Sequence, residues 1–278
     1  MKRSLIIALL SIMAFPGGIR ALDYSRIANI RFDVTHDTNV SKASSPSDQA
    51  DDTIAALSGS YGRRLQLNEA DRVSVTVDFA RIEYTEYNGM DNTRAGVSAA
   101  WFRKPGLGPR APWLNVQASA ARLGYRYDIW DGAEYTAAIS AGKSFNDFFS
   151  LSAAHVVRDR TASTNDVYSG NSYTSSIVAG FSFRNGLRLS AGYGLSRGDI
   201  TAHCIMPRRP SDPTLYEELF DSWAYRRVFK TQIYSLAASY PLGYTTTVFA
   251  GMERMEARRA ARNYPLELFR MGIAHSME

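Results

Sequence analysis

His36, His155, His203, His275 and Cys204 are the residues of this chain whose types could support metal or nucleophilic chemistry. A structural zinc site takes four ligands, and a catalytic one at least three. One cysteine and four scattered histidines do not assemble such a set, and only His203 lies beside Cys204, so no metal and no cofactor is expected. Hydrolysis needs a nucleophile, a base and a group that orients the base. No histidine is followed two residues later by serine, the spacing that would place both on one face of a strand. His275 and Ser276 are adjacent and would point to opposite faces. His155 alternates with Leu151, Ala153 and Val157 and reads as an outward histidine at the level of lipid headgroups. No catalytic residue is assigned, and the chain is not read as an enzyme.

Charge is the richer signal. Of 32 basic residues, 27 are Arg and 5 are Lys. Arginine is always ionised, and its planar fork binds carboxylates at two points. In the strand phases read below, Arg31, Asp33, Arg64, Arg72, Asp78, Arg94, Arg122, Arg126, Asp128, Arg158, Arg160, Arg184 and Arg188 fall on the polar face. Arg122 and Arg126 are four apart and Arg158 and Arg160 two apart, so each pair shares one face of one strand. Leu123, Tyr125, Tyr127 and Val157 then face lipid or headgroups. Two readings compete. Arg122, Arg126, Arg158 and Arg160, with Arg31 and Arg94, form a positive track for anions. Alternatively, the arginines pair with Asp33, Asp78, Glu83, Asp128 and Asp199 and fill a narrow interior.

The elements that must position these side chains are strands. Period-2 alternation recurs along the chain. Tyr173, Ser175, Ile177, Ala179, Phe181 and Phe183 alternate with Thr174, Ser176, Val178, Gly180, Ser182 and Arg184. Asn185-Gly186, a strong hairpin signal, follows, and the alternation resumes through Leu187, Leu189, Ala191, Tyr193 and Leu195. Twelve strands are expected, over 24–36, 54–67, 72–86, 93–103, 113–128, 134–144, 148–160, 173–184, 187–200, 229–240, 245–257 and 264–277. The alternation slips by one between Phe79 and Ile82 and between Ala120 and Leu123, which reads as β-bulges or as strand segments leaving a membrane. Long and short connections alternate, the longest being 201–228. Long strands in even number, with long loops at one end and short turns at the other, specify an all-β fold: an antiparallel, up-and-down transmembrane β-barrel of 12 strands. A soluble sandwich has shorter strands and would not put Gly, Ser and Arg on its inner face.

Composition agrees. With 45% apolar residues and mean hydropathy of −0.25, the chain has no run suited to a spanning helix beyond its first 22 residues. Residues 1–21 read as a secretory signal peptide: Lys2 and Arg3, then an apolar stretch from Leu5 to Phe15, then Pro16-Gly17-Gly18 and a small residue at Ala21. Residues 22–278 form the barrel domain. Without the signal the chain carries 29 basic and 27 acidic residues, a net charge of +2, which removes the case for nucleic acid as a partner.

Three resemblances add to this. Arg270, Gly272 and the alternating residues up to Met277 resemble the C-terminal signal by which outer-membrane barrels are recognised by the barrel assembly machinery, with His275 and Met277 where aromatics are preferred. Asp37-Thr38-Asn39-Val40 is similar to an Asp-x-Asn-Val element of small β-barrel porins. The twelve-strand count resembles porins for acidic oligosaccharides and sialic acid, and also outer-membrane phospholipase A. The resemblance implies a bacterial outer-membrane location, with the bilayer, lipopolysaccharide and small solutes as partners. The expected function is a passive channel for small solutes, anionic ones included if the track exists. The alternatives are a non-conducting barrel for structure or for export and display of a surface polymer, and an outer-membrane lipid hydrolase.

Overall fold

A computed structural model describes residues 23–204, 214–259 and 262–277. The expected signal peptide lies outside the described residues. Twelve long strands close into one antiparallel barrel. They are β1 (Asp23–Asp37), β2 (Asp52–Gln66), β3 (Asp71–Tyr84), β4 (Asn92–Arg103), β5 (Trp113–Tyr125), β6 (Gly132–Ser144), β7 (Phe149–Ala162), β8 (Gly170–Ser182), β9 (Arg188–Cys204), β11 (Ser222–Pro241), β12 (Thr246–Arg259) and β13 (Arg262–Met277). A short strand, β10 (Thr214–Glu217), pairs with the start of β11. Neighbours in sequence are neighbours in the sheet, and two pairings seal it: β13 with β1, and β9 with β11. A closed sheet leaves no unpaired edge, which a lipid environment requires.

The alternation sorts side chains as a membrane solvent demands. Ile30, Phe32, Leu57, Tyr61, Val75, Val77, Phe79, Val97, Ile139, Ile177, Tyr193, Leu236 and Met271 lie exposed on the outside. The opposite phase carries Asn29, Arg31, Ser58, Ser60, Asp78, Arg94, Ser98, Gln117 and Ser119, which line an interior cavity. An apolar belt of this size would be an aggregation surface in water. With lipid outside and a polar lumen inside, it is an outer-membrane barrel.

Glycine is needed inside where aromatics lie flat on the wall. A Cβ on Gly272 would sit 2.6 Å from the Phe249 ring, and one on Gly142 would sit 2.6 Å from the Trp113 ring.

Two expectations change. The slips near Phe79–Ile82 and Ala120–Leu123 are not bulges, because the ladders on both sides of each run in unbroken register. The solvent changes instead. Within the lipid belt the apolar phase points out. Above it the outside is wet and the inside is packed, so the apolar phase turns in. On β3, Val75, Val77 and Phe79 face out, whereas Arg81 and Glu83 take that phase further up and pair with each other at 3.3 Å. The second change is the loop expected at 201–228. β9 runs on to Cys204, β10 forms inside the loop and β11 starts at Ser222.

Candidate functional site: the lumen and its outer mouth

The end of the barrel that carries the long connections is crossed by protein. β9 and β11 rise beyond their ladders with β8 and β12, which stop at Gly198 and Lys230, and with β10 they make a three-stranded ribbon. Ala202 and His203, and Ser222, Ala224 and Tyr225, are buried. Burial of successive residues means that both faces of the ribbon are covered, unlike a strand with one face to solvent. The ribbon also reaches the far wall. Phe220 stacks on Tyr87 with ring centroids 4.8 Å apart, and a side chain on Gly89 would meet Leu219 at 3.1 Å. Tyr87 and Gly89 belong to the connection between β3 and β4, which stand opposite β9 and β11 in the strand order. Trp130, Ala162, Val167, Tyr168 and Ala224 form an apolar cluster at this level, with Tyr125, Ile129 and Leu219 against it.

One polar cluster ties the closure together. His203 places Nδ1 2.7 Å from the Ser41 carbonyl oxygen and Nε2 2.7 Å from Glu217 Oε2. The Tyr168 hydroxyl donates to the same oxygen at 2.5 Å. Glu217 is wholly buried. Both ring nitrogens thus face acceptor oxygens. Burial, then the charge of Glu217, raises the Tyr168 phenol above the ordinary tyrosine value. The cluster joins β9, β10 and the connections after β1 and β7.

The connection after β1 is held from within. Asn39 is 1% exposed; its amide donates to the carbonyls of Ala43 and Pro265 at 2.9 and 3.0 Å, and its carbonyl accepts from Ala43 N–H at 2.9 Å. Asp37 Oδ1 accepts from the Asn39 N–H at 2.8 Å. The Asp-x-Asn-Val element therefore staples the connection to β13. Lys42 follows in the left-handed region at φ 53°, with its N–H on the Asn39 carbonyl at 2.9 Å. Lys42, Glu134, Arg158, Arg160, Tyr168, Asp199 and His203 line a chamber of about 240 Å³ directly beneath the closure. Lys42 is exposed to the chamber, and the surrounding wall lowers its ammonium below the ordinary lysine value; Asp37 pulls it up, and Arg160 and Arg158 push it down. Beyond lies the cavity of about 380 Å³ lined by Arg31, Asp78 and Arg94.

The arginines divide. Arg31 faces inward, pairs with Asp33 at 2.8 Å and lies 4.1 Å over the Phe249 ring. Arg94 and Arg158 share Glu134, at 3.2 and 3.6 Å. Arg160 donates to the Trp130 carbonyl at 3.0 Å and lies over the Tyr125 ring. Arg122 does not join them. It is paired with Ala95 on the phase of exposed Val97, while Ala121 and Leu123 are buried on the inner phase. Arg126 lies at the rim, 63% exposed and 3.6 Å from Asp91. The expected phase of this segment is inverted, since it stands above the lipid belt where Leu123 and Tyr125 turn inward. At the C-terminal end, Arg270 points inward to Asp33 at 3.5 Å, Gly272 packs beneath Phe249, and Met277 is exposed outside.

No family model and no curated protein matches this sequence. Solved structures do match in fold. An outer membrane channel from Pseudomonas putida F1 aligns with 95% of this chain and 99% of its own, with a TM-score of 0.60 at 10% identity. A Pseudomonas aeruginosa FadL homologue aligns over 90% of each chain, with a TM-score of 0.49 at 10% identity. The first likeness shows the outer-membrane β-barrel fold.

Sequence spacing missed one pair of chemical interest. His155 and Ser175 are cross-strand partners on β7 and β8, with Nδ1 2.9 Å from the serine hydroxyl on the outer wall. Register, which sequence does not print, brings them together. The same pattern recurs in His36 with Thr53 and His275 with Thr246. Each outward histidine thus rests on a neighbouring hydroxyl, and among the described residues no carboxylate or amide side chain is hydrogen-bonded to His155.

Proposed function

We propose that this barrel is a passive channel for small solutes, with a lumen that favours anions and an outer mouth closed by the ribbon until it is displaced. The observation that carries the reading is the chamber beneath the closure, where Lys42, Arg158 and Arg160 gather and Glu134 is shared by two arginines. Charge of one sign in a narrow, low-dielectric passage concentrates the opposite ion. The test is current through the purified protein in planar bilayers, with the reversal potential taken in a salt gradient. Absence of current at every salt concentration, with ribbon contacts intact or removed, ends the channel reading.

The packed mouth itself supports a second reading, a non-conducting barrel that serves structure or the display of a surface polymer. Removal of the ribbon contacts separates the two, because only a channel gains current. The lipid-hydrolase reading has the His155–Ser175 contact in its favour but requires an orienting group for the histidine. In this proposal lipopolysaccharide surrounds the outer rim, and the barrel assembly machinery inserts the chain through Arg270, Gly272 and Met277.

A further inference from the structure

We infer that the outer wall carries a binding site for a phosphorylated, acylated lipid of the outer leaflet, with its phosphate on a row formed by Arg197, Lys230 and Arg258. The inference rests on the proposed contact with lipopolysaccharide and gives it a place.

The first observation is the register. Arg197 of β9 is the direct cross-strand partner of Lys230 of β11, and Lys230 is the direct partner of Arg258 of β12. Three cations thus stand side by side on three adjacent strands, all on the outward phase of Leu195, Tyr234 and Met252. Like charges directly opposite destabilise a sheet, because their Cβ atoms are only about 5 Å apart. Arg258 is paired with Glu256 at 2.8 Å, and Glu256 also takes Arg254 at 3.3 Å. Arg197 and Lys230 make no ion pair with any described residue. The nearest acid along β9, Asp199, accepts from the Asn171 N–H at 3.1 Å. An anion bridging the row would remove the repulsion.

The second observation is the height of the row. Towards the membrane, β9 continues through Leu195, Tyr193 and Leu189, all exposed to lipid; in the other direction it enters the ribbon. The row therefore stands at the upper border of the apolar belt on the side of the long connections, where lipid phosphates lie.

The third is a groove. The cations line an outward pocket of about 610 Å³ with Tyr173, Ser175 and Leu195. Ser175 and Leu195 also line an outward apolar groove of about 440 Å³ that runs down the wall. There the small Ala141, Ala153 and Ser175 leave space between the larger outward side chains of Ile139, His155, Ile177, Tyr193 and Leu195. A headgroup pocket that opens into an apolar groove fits one molecule with a phosphate and an acyl chain. A free anion would use only the upper part.

The probe is diphosphorylated lipid A, titrated into the full chain in neutral detergent and read as retained adduct by native mass spectrometry. Wild type is expected to keep one lipid A, with inorganic phosphate failing to displace it. Arg197→Gln/Lys230→Gln/Arg258→Gln should bind about a hundredfold more weakly, at roughly one kcal/mol per cation near an anionic surface. Ala153→Trp, which fills the groove and leaves the charge, should also weaken binding, and Arg81→Gln on the far wall should not. Heat-modifiable mobility on gels checks that each variant is folded, and single Lys230→Gln replaces the triple variant if that one fails to fold. Wild-type affinity in the charge variants overturns the site while leaving a lipopolysaccharide contact elsewhere. No adduct on wild type overturns both. Displacement by equimolar inorganic phosphate would make it an anion site without the lipid. Channel current should be unchanged in the charge variants, which separates this site from the lumen.

Discussion

His203 Nε2 lies 2.7 Å from Glu217 Oε2 within the ribbon that crosses the mouth, and the fully buried carboxylate also takes the Tyr168 hydroxyl from the connection after β7. Removing one partner strands the other, largely buried, without its charged or hydrogen-bonding mate. That costs about 3 kcal/mol, which is roughly a hundredfold in the population of displaced ribbon. Glu217→Ala and His203→Ala are therefore each expected to raise single-channel open probability in planar bilayers, with the barrel still heat-modifiable. The double variant should open little more than either single one, since the two act as a unit. Unchanged current in all three variants would show that the ribbon does not gate conduction.

Asn39 makes its hydrogen bonds to Ala43 and Pro265 in a place where water cannot replace them. Asn39→Ala should free the connection after β1 at a cost of about 2–4 kcal/mol, counting the orphaned carbonyls. Limited proteolysis of the folded protein should then cut between residues 40 and 51, and wild type should resist there. Cleavage at equal rates would mean that the staple is redundant.

Much of the architecture was legible because lipid and lumen impose opposite demands on successive residues. The run Tyr173–Ser182 and its partner beyond Asn185-Gly186 announce their phase in every residue. The phase of Arg122 was not legible. Around it Ala120, Ala121 and Gly124 carry no polarity, and Leu123 and Tyr125 are apolar for a reason other than lipid: they pack inward beneath the closure. The rule that apolar means outward holds only within the bilayer, and where the bilayer ends is not written in the alternation. The closure was equally hidden. His203, Glu217, Tyr168 and Ser41 come from four distant segments, and only the fold brings them together. Asn39 was visible as part of a short element, but its role depends on Pro265, which is 226 residues away.

Lys42 gives the lumen a titratable charge. Its ammonium loses protons below the ordinary lysine value of 10.5, chiefly through enclosure. In the window just below 10.5 the unfolded chain holds this proton and the folded one does not, so docking of the connection becomes more stable as pH rises through the window. The chamber loses this positive charge where the window opens, at the lowered value of the folded protein. Anion preference measured by reversal potential should fall as pH is raised towards 10.5, and this step should vanish in Lys42→Gln. A step that persists in Lys42→Gln would belong to another group.

Selectivity distinguishes the arginines by the face they occupy. Arg158 and Arg160 project into the chamber, whereas Arg122 projects outward from β5 and Arg126 pairs with Asp91 at the rim. A charge in the passage acts on permeating ions through little solvent, but one on the outer wall is screened within about 10 Å at 0.1 M salt. Arg158→Ala/Arg160→Ala should therefore move the reversal potential from anion preference to neutrality or beyond, because Glu134 is left with Arg94 alone. Arg122→Ala/Arg126→Ala should leave it where it is. Both measurements can be made in the Glu217→Ala background, where larger currents are expected. If the wild type prefers cations, or if the Arg158/Arg160 variant matches it, these arginines are structural partners of Glu134 and Trp130 and set no selectivity. If the Arg122/Arg126 variant shifts the potential, permeating ions pass close to the outer rim, and the rim rather than the chamber is the selecting element.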